Sequence, residues 1–386
     1  MALKNNTWKL NQWYDQSVAG NATYSGEIQF WVWGKNDNGL LGQNQPQTTN
    51  ISSPVQMPGS WSKESVPFQG TVGKNIILPK TDGTLWGWGR NDNANLAMND
   101  KVMRSSPTQI GSDTDWAKSG VLEEQGWAIK TDGSLWMWGD NNYGQLGQNE
   151  RTYRSSPVQL GSDTTWERLY AGGYGRSFGK KTDGTVWCWG RGGGILGLNQ
   201  PGNSHYSSPV QVDGAWSVFS AGNPGNAGGI KTDGTFWIWG SQPKGELGQN
   251  EVGDSAQKSS PVQVPGTNWQ TVKLYNKGWG AIKTDGTLWL IGGNYYGKLG
   301  QNNETDYSSP IQIPGTNWNT ISFSYKGMHA SKTDGTFWSW GFNNEGQLGQ
   351  NNIVSYSSPV QVPGTDWYTI SAIGGSGQGT FGVKNV

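Results

Sequence analysis

Lys80–Gly89 reads KTDGTLWGWG: a turn-forming Asp-Gly, then two tryptophans with a single residue between them. Asp-Gly between short runs of β-branched and aromatic residues signals a hairpin, because a two-residue type I′ turn needs positive φ at both central positions. Side chains alternate along the strand that follows, so Trp86 and Trp88 share one face while Leu85 and Gly87 share the other.

That strand returns at Trp31-Val-Trp33, Trp136-Met-Trp138, Trp187-Cys-Trp189, Trp237-Ile-Trp239, Trp289-Leu-Ile291 and Trp338-Ser-Trp340, each followed by Gly. With Trp86-Gly-Trp88 this makes seven copies at a period of about 51 residues. After each comes a Gly-x-Leu-Gly element such as Gly144–Gly147, then Ser-Ser-Pro-Val-Gln or a variant, as at Ser155–Gln159. A further Trp follows at 61, 116, 166, 216, 269, 318 and 367. The proline suits the start or outer edge of a strand, where a missing N–H is tolerated. Each repeat therefore predicts a four-stranded antiparallel meander.

Both faces of the Trp strand are mostly apolar: Phe30 and Val32, Leu135 and Met137, Phe236 and Ile238 occupy the second face. A strand buried on both sides belongs in a sheet sandwiched between neighbours, the arrangement that radial stacking of blades produces. The chain ends carry complementary gaps. Gly382-Val-Lys384 begins a KTDG strand that stops before its Asp-Gly, and Gly26–Trp31 begins a Trp strand with no Asp-Gly before it. The expectation is an all-β fold: a seven-bladed β-propeller of four-stranded antiparallel blades over 26–386, closed by pairing of the C-terminal strand with the first Trp strand.

The run G-x-x-x-x-x-K-T-D-G-T-L-W-x-W-G-x-N-x-x-G-Q-L-G resembles the repeat of the regulator of chromosome condensation family, whose members form seven-bladed propellers. The family repeat usually carries a His just before the hairpin strand; Gly327-Met-His329-Ala330 keeps it, while other copies hold Arg176, Asn226 or Trp127 in that neighbourhood. The resemblance implies guanine-nucleotide exchange on a small GTPase, or association with histones and DNA.

Composition points elsewhere. Lys+Arg and Asp+Glu balance at 28 each, with no basic run, so the electrostatic footprint of a nucleic-acid or anionic-membrane binder is missing. Cys188 is the single cysteine, and His205 and His329 are the only histidines, too far apart in sequence for a zinc motif. Asn-rich segments such as Asp140–Gly144 lack the spaced carboxylates of a calcium loop. The tract Gly192–Ile195 is followed by no Gly-Lys-Ser/Thr, and no repeat offers a paired carboxylate for glycoside hydrolysis. The expectation is a non-enzymatic protein with no metal and no cofactor. MALKNNTWKLNQWY lacks the apolar core of a signal peptide, and no window is apolar enough to insert into a membrane.

Twenty of the 24 tryptophans hold the three periodic positions and are assigned to blade packing. Trp8, Trp13, Trp127 and Trp279 stand outside the pattern. In an up-and-down meander the Asp-Gly and Pro-Gly-Thr turns share one end of every blade, and the longer, more diverse loops share the other, where recognition is expected. The candidate binding residues are Phe68, Glu123, Trp127, Tyr170, Tyr174, Arg176, Asn226, Tyr275, Trp279, Tyr325 and His329. Residues 1–25 precede the first blade, and Trp8, Trp13 and Tyr14 suit either packing on the propeller or anchoring in a larger assembly. The function expected is a binding or structural module of a virion, bacteriophage or cell surface, recognising a protein or a surface glycan. The alternatives are a cytoplasmic regulatory propeller of the exchange-factor kind and a protein inhibitor of an enzyme.

Overall fold

The computed structural model describes residues 28–385 except 47–48, 64–74, 123, 201–203, 223–224, 254–256, 276, 324–325, 365–366 and 374–378; for 28, 368–373 and 379–385 it describes the backbone alone. The anchoring candidates Trp8, Trp13 and Tyr14, and the binding candidates Phe68, Glu123 and Tyr325, lie outside the described residues.

Blade 3 shows the plan. Trp116–Leu122, Gln125–Lys130, Leu135–Gly139 and Arg154–Gln159 run antiparallel in chain order, from inner to outer strand. Blades 4 to 7 repeat this order, with Trp strands Val186–Gly190, Phe236–Gly240, Leu288–Gly292 and Phe337–Gly341. Blade 2 shows three strands among the described residues, and its Trp61 bridges Lys80 as Trp116 pairs with Lys130. Blade 1 takes two strands from each end of the chain. Ile28–Gly34 pairs with Gly379–Asn385 over seven residues, from Ile28↔Asn385 to Gly34↔Gly379, which closes the propeller as the termini suggested. The Ser-Ser-Pro segments form the outermost strands, where proline costs no ladder hydrogen bond.

The KTDG turn differs from the expected type I′ form. Gly83 has φ +78° and Asp82 is not in the left-handed region; Gly83 N–H donates to Lys80 O (3.0 Å) and Lys80 N–H to Thr84 O (2.9 Å). This is a three-residue hairpin loop with Gly in the left-handed position. The aspartate side chain decides between the two: Asp82 Oδ1 accepts from Thr84 N–H (3.0 Å) and Thr84 Oγ1 (2.6 Å), fixing Asp82 at negative φ. The same threonine hydroxyl accepts from Trp86 Nε1 at 2.8 Å.

The two tryptophans of each motif therefore do different work. The first is half-buried and, in blades 2 to 7, held to its own turn. The second is fully buried and, in six blades, donates its indole N–H at 2.8–3.1 Å to a carbonyl of the preceding blade's Gly-x-Leu-Gly loop: Trp88 to Leu40, Trp138 to Asn95, Trp189 to Gln145, Trp239 to Ile195, Trp340 to Lys298 and Trp33 to Gln347. Six of the seven blades are thus both packed and joined by an indole hydrogen bond to the one before.

Blade 6 breaks the rule and restores its packing, though the Trp279 indole N–H has no acceptor among the described residues. Ile291 stands where the second Trp belongs, and its cross-strand partner is Trp279; in blade 3 the corresponding pair is Trp138 and Gly126. Large and small have changed strands. A Cβ on Gly126 would lie 2.3 Å from the Trp138 ring, so one site holds one indole from either strand. Trp279 is fully buried and meets Trp269 edge-on at 5.9 Å, as Trp189 meets Trp166 at 5.9 Å. Trp279 is a displaced core tryptophan and not a rim platform.

Candidate protein-binding face

One end of the blades carries the KTDG turns and the connections to the next inner strand. The other end, the loop face, carries the inner hairpin loops and the segments between Trp strand and outer strand. One buried asparagine organises five of the seven segments; blades 4 and 5 carry Gly192 and Gln242 in its place. In blade 3, Asn141 Oδ1 accepts from Leu146 N–H (2.9 Å), while its amide donates to Glu150 O (3.1 Å) and Thr152 O (3.0 Å). Asn36, Asn91, Asn294 and Asn343 accept from Leu41, Leu96, Leu299 and Leu348 in the same way. A buried amide satisfying three backbone groups fixes the loop's path and leaves the residues around it free to differ. Gly144, at φ +79°, lets that loop touch the next blade: a Cβ there would meet the Ser207 backbone at 2.7 Å.

Most of the candidate residues turn inward. Trp127 packs with Leu122, Leu146, Trp166 and Trp189 between blades 3 and 4. Tyr170 lies edge-on to Phe219 at 5.3 Å, and burial pushes its hydroxyl up to about 12. Tyr275 stacks on Phe323 at 4.0 Å and donates to Ile291 O at 2.9 Å. Arg176 is buried, with its guanidinium on Gly173 O (3.2 Å) and Gly192 O (3.1 Å), and Asn226 is buried as well. His329 stacks on Phe337 at 5.8 Å, and burial lowers its imidazole to about 3. An inner loop two or three residues long sends the side chains that flank it into the blade interfaces, so these positions are corrected from rim to core. Tyr174, half exposed, is the candidate that faces solvent.

The exposed apolar side chains come from the longer segments instead. Val102, Tyr153, Tyr174, Val252, Tyr295, Tyr296, Ile353 and Val354 are the large exposed hydrophobics among the described residues, and all eight lie on the loop face. Seven of them were missed from sequence. Their signal was available: Val102, Tyr153, Val252, Ile353 and Val354 occupy the stretch after the Gly-x-Leu-Gly element, and Tyr295 and Tyr296 the positions just before it, where the seven repeats cease to agree.

Cations stand beside the aromatic rings. Arg191 lies 5.1 Å from the Tyr143 ring and 6.0 Å from Tyr174, with His205 edge-on to Tyr143 at 5.2 Å. Burial, then Arg151, Arg191 and Arg176, hold His205 below its ordinary range. Across blades 5 to 7, Lys277 and Lys244 flank Tyr295 at 5.2 and 5.9 Å, and Lys326 lies 5.1 Å from Tyr296, itself 4.8 Å from Phe342. Beneath them Lys298 sits 4.4 Å over Tyr275, lowered to about 7 by burial and then by Lys277. Rings paired with cations at these distances suit contact with a partner that offers carboxylates and apolar side chains.

Residues 132–175 and 334–383 match the model of the Regulator of chromosome condensation (RCC1) repeat. No curated protein matches the chain. Among solved structures, the chain is similar to Prp20p from Saccharomyces cerevisiae, described with its binding properties to Gsp1p and histones (16% identity, 94% of this chain and 92% of that one, TM-score 0.75). Yeast RCC1 (Prp20) bound by Kap60 aligns over 100% of this chain and 94% of that one at 15% identity, TM-score 0.75. Human WBSCR16 aligns over 93% and 99% at 19% identity, TM-score 0.75. With the repeat matched at residues 132–175 and 334–383 and the ring closed by its own termini, this chain carries regulator of chromosome condensation repeats and folds as a seven-bladed propeller.

Proposed function

We propose that the chain is a non-enzymatic, protein-binding propeller that engages its partner through the loop face. The observation that carries this reading is the confinement of every large exposed hydrophobic side chain among the described residues to that one face. Apolar groups gathered on one side of a polar surface mark an interaction site, and Tyr with Arg or Lys is the composition of binding hot spots. The three solved relatives share the fold, and two are described together with macromolecules that they bind. The setting proposed is a virion or cell surface, with residues 1–25 as the attachment; its support is the neutral, Gly-rich composition and the closeness of the repeats.

The test compares two faces of one protein. Full-length chain, a loop-face variant (Tyr295→Ser, Ile353→Ser, Val354→Ser) and a turn-end variant (Thr333→Arg) are immobilised and exposed to surface-labelled host-cell extract. Captured partners are then titrated in purified form. The loop-face variant is expected to bind at least tenfold more weakly, the loss typical of hot-spot removal, while Thr333→Arg binds as the parent does. The reverse result overturns the assignment of the face.

A further inference from the structure

At the opposite end, and on the flank, blades 2 to 7 each place the lysine of the KTDG turn against two indoles. In blade 7, Lys332 Nζ lies 4.7 Å from the Trp318 ring and 4.9 Å from the Trp338 ring. These residues form one wall of a cleft of about 400 Å³ between blades 6 and 7, whose other side includes Gln301, Asn302 and Pro359. That volume falls within the ~300–1,000 Å³ of small-molecule sites.

The blades treat this lysine in two ways. In blades 3 and 4 the connection to the inner strand reads GSDTDW and GSDTTW. There Asp113 and Asp115 bind Lys130 at 2.7 and 3.2 Å, and Asp163 binds Lys181. Blade 7 reads PGTNW instead, and Lys332 has no ion pair among the described residues. The charge it feels from Asp334 comes from a carboxylate already holding Thr336 N–H at 2.9 Å and Thr336 Oγ1 at 2.6 Å. The same fold thus shows the cage with a carboxylate in place and without one.

We propose that the Lys332 cleft binds an acidic saccharide: the carboxylate takes the place that Asp163 fills in blade 4, and the sugar ring lies on Trp338, the half-buried indole of the wall, with Trp318 buried beside it. A charge-assisted contact to Lys332 supplies orientation, indole faces suit the apolar side of a pyranose, and the amides of Gln301 and Asn302 suit its hydroxyls. An extended acidic peptide fits less well, because the adjacent outer strand carries Pro359 and offers a broken edge for strand addition. Trp318 adds a buried indole N–H with no acceptor among the described residues, as do Trp166 and Trp116 in the plugged blades, so it is a donor without being the discriminator.

The probe is a tetrasaccharide of alternating glucuronate and N-acetylglucosamine, titrated into full-length protein while the Trp318 and Trp338 indole resonances are followed. The carboxyl-reduced, neutral tetrasaccharide serves as the comparison. The acidic form is expected to bind at this site about tenfold or more tightly than the neutral form. Lys332→Met is expected to abolish that preference. Replacing Pro314–Asn317 by Gly-Ser-Asp-Thr-Thr, the sequence of residues 161–165, plugs the cage with a native element and is expected to remove binding while the thermal transition is retained. Equal binding of both sugars, undiminished binding to the plugged variant, or tighter binding of an oligoglutamate peptide overturns the proposal.

Discussion

The two ends of the propeller are built from the same seven repeats, and they use them oppositely. At the turn end the side chains themselves repeat: the Asp-Gly turn, the threonine that links Asp to the first Trp, and the lysine between two indoles recur from blade 2 to blade 7 with one Ser-for-Thr change at Ser134. At the loop face it is the backbone that repeats, held in five blades by one buried asparagine, while the outward side chains change from Val102 to Tyr153, Tyr295 and Ile353. Side-chain diversity costs little stability where a buried amide already fixes the chain, so variation accumulates there. The turn end lacks such a device, because its turn is made by the very side chains it displays.

The sharpest way to break this contrast is to attack the device that ties the faces together. Trp239 is fully buried and donates to Ile195 O in the loop of the blade before it. Trp239→Ala is expected to destabilise by about 3–5 kcal/mol, the cost of removing a large core aromatic, and to speed amide exchange at the loop around Leu196 far more than at the Asp183-Gly184 turn. Equal protection loss at both ends in hydrogen exchange would show that the loop face does not depend on the neighbouring blade.

Blade 6 sharpens the comparison at smaller scale. If Trp279 and Trp138 fill the same site from opposite strands, Ile291→Trp alone overpacks it and costs about 1–3 kcal/mol. Trp279→Gly alone leaves a cavity and costs about 3–5 kcal/mol. Combined, the pair restores the blade 3 arrangement, and the double variant is expected to lie within about 1 kcal/mol of the parent, a strongly non-additive cycle. Additive losses in chemical denaturation would mean that the two indole positions are different sites.

How much of this was legible in the sequence follows from the same contrast. The period, the Asp-Gly turn and the gaps at the termini are properties of residue order, and they led to the blade count and to ring closure by Lys384 and its neighbours. The turn's geometry was misread because Asp82 Oδ1 bonds to Thr84, a side-chain competition that the dipeptide alone does not reveal. The loop face remains the candidate face, but most of the residues assigned to it from the sequence are buried in the blade interfaces. Trp127, Tyr275 and His329 look like rim residues in the sequence because they adjoin short loops. Whether a residue beside a hairpin points to solvent depends on strand register against the next blade, which no single repeat encodes. The exposed positions Val252 and Ile353 are single aliphatic residues with no recognition signature of their own, and their divergence among aligned repeats is the one signal the sequence holds for them.

The smallest expected effect separates the two kinds of blade at the turn end. Partial burial raises the Asp163 carboxyl, but the Lys181 ammonium and the Thr165 hydroxyl and N–H outweigh it and hold the group at about 2. A carboxyl whose folded pKa lies below its unfolded value of about 4 contributes stability that is complete above pH 4 and lost as pH falls through 2. The pair is over one-third exposed on the Asp163 side, so solvent screening limits the contribution to under about 1 kcal/mol. Asp163→Asn is therefore expected to melt slightly below the parent at pH 6 and together with it near pH 2. The corresponding connection in blade 7, Pro314–Asn317, has no such carboxylate, so a substitution within it, Thr316→Asn, leaves the pH profile of stability unchanged. A gap between Asp163→Asn and parent that persists at pH 2 would mean that the aspartate acts through its turn and not through the lysine, and the two kinds of cage would then differ in shape and not in charge.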